Sequence, residues 1–298
     1  MDGILNIDKP LGWTSHDVVA WVRRLLKVKR VGHAGTLDPL ATGVLLVCIG
    51  QATRLSEYIM ASDKSYRAQI QLGTSTDSYD LDGEVVQVRP LPEGLNQETI
   101  GEALAAFQGD LMQMPPIYSA IKQGGVALHR LARRGESVQP QARPVHIHRI
   151  ELVDWSPPVL TVNVTCSPGT YIRSLAHDLG EALGCGGTLA GLRRTRSGAF
   201  SVDDALTPDD VDAAYRSGTL HEHLKPMAAA LHSLAPVAVT EADVARLRTG
   251  MPIAYPGEEP PARPTAYAIE TSGAVVAILR YDPEQNEWWP DKVFVGAS

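Results

Sequence analysis

Apolar positions change their spacing repeatedly along the chain, and each change marks an element. Ile4-Leu5-Asn6-Ile7 reads as a strand, stopped by Asp8-Lys9-Pro10-Leu11-Gly12. Val18, Val22, Leu25 and Leu26 keep a helical period with basic residues between them, so Thr14 or Ser15 is predicted to cap a helix. The apolar run Val44 to Ile49, bounded by Gly43 and Gly50, has the length of a buried strand. Tyr66 to Leu72 alternates apolar and polar residues, and Glu84 to Val88 is predicted as its partner strand after the Asp82-Gly83 turn. A helix is expected over Glu98 to Phe107, strands over Val145 to Val153 and Leu160 to Cys166, and helices over Ile172 to Leu183 and Asp209 to Leu234. Strands and helices alternate irregularly rather than as βαβ repeats. The pattern predicts an α+β fold with a mixed, largely antiparallel central β-sheet and flanking helices.

Composition shifts near residue 235. Met251 to Thr265 is dense in Pro and Gly, and short strands are expected over Ala266 to Glu270 and Ala274 to Tyr281. Residues 1–235 and a small, separable, β-rich unit at 236–298 are therefore expected. At 298 residues the chain suits about two domains and needs no disulfide or metal staple for its core. No apolar run approaches the roughly 18 to 20 residues of a membrane span, and the acidic start Met1-Asp2-Gly3-Ile4 argues against a signal peptide. Cys48, Cys166 and Cys185 have no C-x-x-C spacing and suit reduced thiols in the cytoplasm.

A net charge of -7 argues against a protein that coats DNA non-specifically. The mean hides three basic clusters: Arg23 to Arg30, the set Arg130, Arg133 and Arg134, and the set Arg193, Arg194 and Arg196. Basic stripes in an acidic chain suit a polyanionic ligand. Residues 236–298 carry five basic and nine acidic side chains, net -4. Dinucleotide, P-loop, zincin and nucleophile-elbow motifs are absent. His146 and His148, like His221 and His223, lack further ligands at suitable spacing, so neither a metal nor a cofactor is expected. The segment that stands out is Gly32-His33-Ala34-Gly35-Thr36-Leu37-Asp38-Pro39-Leu40-Ala41-Thr42-Gly43. Its glycines allow close backbone approach, and Pro39 restricts Asp38 to extended conformations, which presents a carboxylate from a stiff loop.

Gly32 to Gly43 resembles, position for position, the active-site loop of the TruB-type tRNA pseudouridine-55 synthases. Lys9-Pro10-Leu11-Gly12-Trp13-Thr14-Ser15, Lys64-Ser65-Tyr66, Pro115 to Lys122, Gly169 to Gly180 and Leu192-Arg193-Arg194-Thr195 resemble further motifs of that family, in the same order. The likeness is strong from residue 4 to about 200. Beyond 236 it weakens to a likeness to the PUA domain, a small β-barrel that binds RNA.

The resemblance implies the pseudouridine synthase fold and a cofactor-free isomerase acting on uridine 55 in the T-loop (T-arm) of tRNA. Asp38 would be the catalytic carboxylate, Arg173 its ion-pair partner and Tyr66 a residue that stacks on the flipped base and handles a proton. Attack by Asp38 on C6 of the base or on C1′ of the sugar stays equally open at this stage. His33, Tyr171, Leu192, Lys9 and Lys64 would contact the substrate. An insertion at about 110–145 would grip the tRNA backbone through Lys122, Arg130, Arg133 and Arg134, and Arg193 and Arg194 would reach nearby phosphates. His129 stands where the family's arm is expected to carry a tyrosine. A monomer in the cytoplasm is expected. The alternative is a protein that binds and remodels tRNA, with isomerase activity secondary or lost; intact Asp38, Tyr66 and Arg173 weigh against it.

Overall fold

The computed structural model describes residues 1–119, 122–123, 126–127 and 140–294. The first half of the chain forms β1 (Gly3–Lys9), α1 (Ser15–Leu26), β2 (Val31–Ala34), β3 (Ala41–Ile49), α2 (Ser56–Met60), β4 (Lys64–Leu72), β5 (Thr74–Thr76), β6 (Val85–Val88), α3 (Gln97–Ala105) and β7 (Gly109–Gln113). Two-residue strands β8 (Lys122–Gln123) and β9 (Val126–Ala127) precede β10 (Arg143–Ser156), β11 (Val159–Cys166), α4 (Ile172–Ala182), β12 (Gly187–Ser197) and β13 (Phe200–Ser201). Helices α5 (Pro208–Ser217) and α6 (Leu220–His223) lead to β14 (Ala235–Ala238), α7 (Glu241–Arg248), β15 (Ile253–Ala254), β16 (Thr265–Ile269), β17 (Val275–Asp282) and β18 (Glu287–Val293). No helix among the described residues is long and apolar enough to cross a membrane.

The large sheet runs β1-β3-β12-β4-β11-β10-β7, with β2 on β3 and β13 on β12. Its β3–β12 contact is parallel and its other pairings are antiparallel, so the α+β, mixed-sheet expectation stands. Two helices share one face. Val18, Val19 and Val22 of α1 pack on Leu5, Ile7, Leu45 and Val47, while Leu175, Ala176 and Leu179 of α4 pack on Ala68, Ile70, Val162 and Val164. Tyr66 and Leu192 touch both clusters and so lie between the helices. The alternate residues Ile4, Val44, Leu46 and Cys48 are covered on the other face, by the turn Met227–Leu231 and by Tyr267, Val275, Ile278 and Phe294. Burial on both faces is why Val44 to Ile49 reads as an unbroken apolar run.

Two expectations change. Val85–Val88 pairs with Thr74–Thr76 instead of with Tyr66–Leu72, because both edges of β4 are already taken by β11 and β12. The helix expected over Asp209 to Leu234 breaks at Gly218, which is left-handed at φ 79° and caps α5. The C-terminal five-stranded sheet, β14-β16-β17-β18-β15, does not stand free. It shares a core with β1 and β3, and Arg54 of the first half donates to the Val293 carbonyl (2.5 Å) and lies over the Phe294 ring.

Candidate active site

Between β2 and β3 the chain leaves the sheet as Gly35–Leu40, a loop without regular structure whose peptide groups need partners. Three distant side chains supply them. Ser15 Oγ accepts from Leu37 N (2.9 Å) and donates to Leu37 O (3.1 Å). Lys9 Nζ donates to the carbonyls of Pro10, Trp13 and Pro39 at 2.9, 2.5 and 3.3 Å. Arg194 donates from Nε to Val44 O (2.7 Å) and from Nη2 to Gly35 O (2.9 Å). Gly43, at φ 95°, lies against the Arg194 backbone, and a Cβ there would collide with it. The loop is thus fixed from three directions, with Asp38 at its tip.

Arg173, on the first turn of α4, is 7% exposed and needs anionic company. Its Nε lies 3.1 Å from Asp38 Oδ2 and its Nη1 lies 3.3 Å from Asp80 Oδ2. Nη1 also donates to Ser78 O (3.3 Å) and Nη2 to Tyr118 O (2.9 Å). Asp80 is buried, and its Oδ1 accepts from Ser78 Oγ (2.5 Å) and Asp82 N (3.2 Å). The two carboxylates therefore flank one guanidinium. Burial pushes the Asp38 carboxyl above its usual range; Arg173 pulls it down and Asp80 pushes it up again. A small cleft meets this pair, lined by Asp38, Leu40, Asp80, Arg173, Leu189 and Leu192 among others. A partly desolvated, ionisable carboxylate facing a largely apolar cleft suits a nucleophile or charge stabiliser.

Tyr66 is half-buried and its hydroxyl accepts from Arg194; burial pushes the phenol up, so it stays protonated at neutral pH. Tyr171 caps α4, is likewise pushed up by burial, and has both backbone groups clamped by the Gln113 amide (2.8 and 3.0 Å). His33 meets His16 edge-on at 6.1 Å and its Nδ1 is buried without a hydrogen-bond partner among the described residues. Burial, then His16, lowers its pKa. His146 and His148 pair with Asp110 (2.7 Å) and Asp63 (3.2 Å), and no group of three metal-ligating side chains occurs among the described residues.

Several expected substrate contacts are engaged within the protein itself. Lys9 and Lys64 are buried and spend their ammonium groups on carbonyls, Lys64 on those of Ile59, Met60 and Ser62. Burial brings both down to about 8. Arg194 is 2% exposed and spends its guanidinium on the Asp38 loop. Arg193 is more open but forks onto Asp8 at 2.7 and 3.1 Å. Arg130, Arg133 and Arg134 lie outside the described residues, and of Lys122 the backbone alone is described.

Sequence reasoning missed Asp80 and Ser15. Asp80 sits among Asp77, Asp82 and Gly83, where a turn explains every acid equally well. Ser15 was weighed as a cap, but Thr14 takes that role in a capping box with Asp17.

The family model described as "TruB family pseudouridylate synthase (N terminal domain)" matches residues 23–172, and "tRNA pseudouridylate synthase B C-terminal domain" matches residues 173–232. A tRNA pseudouridine synthase B from Dehalococcoides mccartyi is 45% identical over 298 residues, covering 100% of this chain and 98% of its own. One from Heliobacterium modesticaldum is 51% identical over 210 residues, 70% of this chain and 68% of its own. A chain in the structure of an H/ACA RNP bound to a substrate RNA containing 2′-deoxyuridine overlays with a TM-score of 0.77 at 26% identity, covering 99% of this chain and 85% of that one.

Proposed function

The chain belongs to the TruB family of pseudouridylate synthases and makes pseudouridine in tRNA; from that premise we propose that its target is uridine 55 of the T-loop and that Asp38 is the reacting carboxylate. The observation that carries this reading is the Asp38–Arg173 pair at the mouth of the cleft. In the reaction the N1–C1′ bond breaks, the uracil turns over, and a C5–C1′ bond forms. The C5 hydrogen leaves to solvent and N1 takes up a proton, so the product is an isomer and no redox partner enters. Asp38 stabilises or attacks the reacting nucleotide in its ionised form, which Arg173 favours. A uridine inside a folded loop cannot present its glycosidic bond to Asp38, so the base is extruded first. Tyr66, Leu192 and Tyr171 wall the base, and His33 enters the T-loop where the base has left.

The insertion at about 110–145 is read as the arm that grips the T-arm backbone. Residues 236–298 are read as a PUA-like RNA-binding domain following a catalytic domain of 1–235. The five-stranded sheet supports that reading, while a net charge of -4 limits its share of phosphate binding. The enzyme works as a monomer in the cytoplasm.

The test uses tRNA tritiated at uracil C5, since forming the new C–C bond expels that hydrogen. Release from tRNA, and its loss when uridine 55 is replaced by cytidine, is expected. Release that survives the replacement overturns the position. Tight tRNA binding without release leaves the remodelling alternative.

A further inference from the structure

Tyr79 holds a backbone that bulky residues rarely adopt, at φ 66° in the left-handed region. Such a conformation persists where its surroundings over-determine it. Here the Tyr79 carbonyl accepts from Leu189 N (2.9 Å), its N–H donates to Thr76 O (3.4 Å), and its ring stacks on His177 with centroids 4.0 Å apart and planes at 13°. The neighbours on either side matter as much. Arg173 grips the Ser78 carbonyl and the Asp80 carboxylate, so Tyr79 lies between the two groups that it holds. His177 follows Arg173 by four residues on α4 and so shares its helix face. The helix clasps the loop twice, by charge at Arg173 and by ring contact at His177. His177 Nδ1 is buried with no hydrogen-bond partner among the described residues, which leaves the stacked face as its observed contact with the loop.

We propose that the Tyr79–His177 stack is a positioning device for the reaction: it holds the left-handed turn that aims Asp80 at Arg173, and so sets the guanidinium against Asp38. Neither ring reacts. The inference rests on Asp38 and Arg173 being the reacting pair. Asp38 is faced by Arg173, Asp80, Lys9 and Asp82, and the pull of Arg173 outweighs the push of Asp80. Loosening the clasp therefore raises the pH at which Asp38 ionises.

The experiment is single-turnover tritium release by the full-length enzyme between about pH 5 and 8, with steady-state kcat and KM and thermal denaturation alongside. His177→Ala is expected to lower kcat about tenfold, keep KM for tRNA within about twofold, and move the acid limb to higher pH. His177→Phe and Tyr79→Phe keep two stacked rings and should restore both rate and limb. Wild-type kcat with an unmoved limb in His177→Ala overturns the proposal, as does a His177→Phe variant as slow as His177→Ala. Should His177→Ala fail to fold, Tyr79→Gly, which takes the left-handed backbone without strain and loses the ring alone, is read by the same criteria. Asp38→Asn is run in parallel. If it stays active, the reading of the reacting pair fails; if it is dead and His177→Ala is normal, the stack alone fails.

Discussion

Two loops bring a carboxylate to the same guanidinium, and they are built in opposite ways. The Asp80 loop supports itself: Ser78 Oγ and Asp82 N donate to the Asp80 carboxylate, and Thr76 Oγ1 donates to the Asp80 carbonyl. The Asp38 loop is held from outside, by Ser15, Lys9 and Arg194, and those bonds go to its backbone. Asp80 ends with 11% of its side chain exposed and Asp38 with 42%. A carboxylate saturated by hydrogen bonds is a fixed counter-ion. One held by its backbone alone, with a single ion pair among the described residues and a cleft before it, is free to react. The difference lies in what each loop anchors, since both acids meet the same Arg173.

The largest effect should come from Asp38→Asn, with turnover reduced by at least about a thousandfold and tRNA binding within tenfold, about 1.4 kcal/mol, in a filter-binding assay. The same variant sharpens the contrast in stability. Because the folded protein raises the Asp38 pKa, its stabilising contribution is present below the unfolded value and lost as pH rises through the folded one. At neutral pH Asp38→Asn should therefore melt no lower than wild type, and any advantage should shrink as pH falls toward the ordinary carboxylate range. A clearly lower melting temperature at pH 7 would contradict this.

Arg173→Met removes the partner that both loops share. Turnover should fall about a hundredfold, the acid limb of the pH–rate profile should move up, and stability should drop by roughly 3 to 5 kcal/mol because Asp80 is left buried and unpaired. Asp80→Asn should move the limb the other way. It removes the charge that pushes Asp38 up and keeps an isosteric amide, so a rate loss of about tenfold with a limb at lower pH is expected. Matching limb shifts in the two variants would erase the distinction drawn between the loops.

The smallest effects separate two neighbouring hydroxyls. Ser15→Ala takes both bonds from Leu37 and should cost roughly 1 to 3 kcal/mol in denaturant titration while slowing turnover severalfold. Thr14→Ala removes a cap and should cost about 1 kcal/mol with turnover unchanged. Equal rates in the two would mean that Ser15 does not hold the loop.

Much of this was legible in the sequence because it rests on local pattern. The β3 run, the α1 period and the stiff Asp38-Pro39 turn are each set by neighbours within a few residues. Arg173 as the partner of Asp38 came from the family resemblance. What escaped depends on long-range placement. Lys9, Lys64 and Arg194 look like ligand-binding cations in a sequence, and their burial follows from strand pairings that no local pattern reports. Asp80 gains its meaning from α4, some 93 residues on. The partner of Val85–Val88 depended on which edges of β4 were already occupied.

The core shared by the two sheets also bears on the order of events at the ribosome. Arg54 and Val293 are 239 residues apart, yet they meet where β1 and β3 are sealed from behind. Val44, Leu46 and Cys48 are covered in part by the turn Met227–Leu231 and in part by Val275, Ile278 and Phe294, so the last of their cover is translated late. A nascent chain that ends before residue 275 carries a finished Asp38 loop sequence and an unfinished wall behind it, and apolar surface exposed in this way favours misassembly. Full burial of the earliest strands thus depends on some of the last residues made.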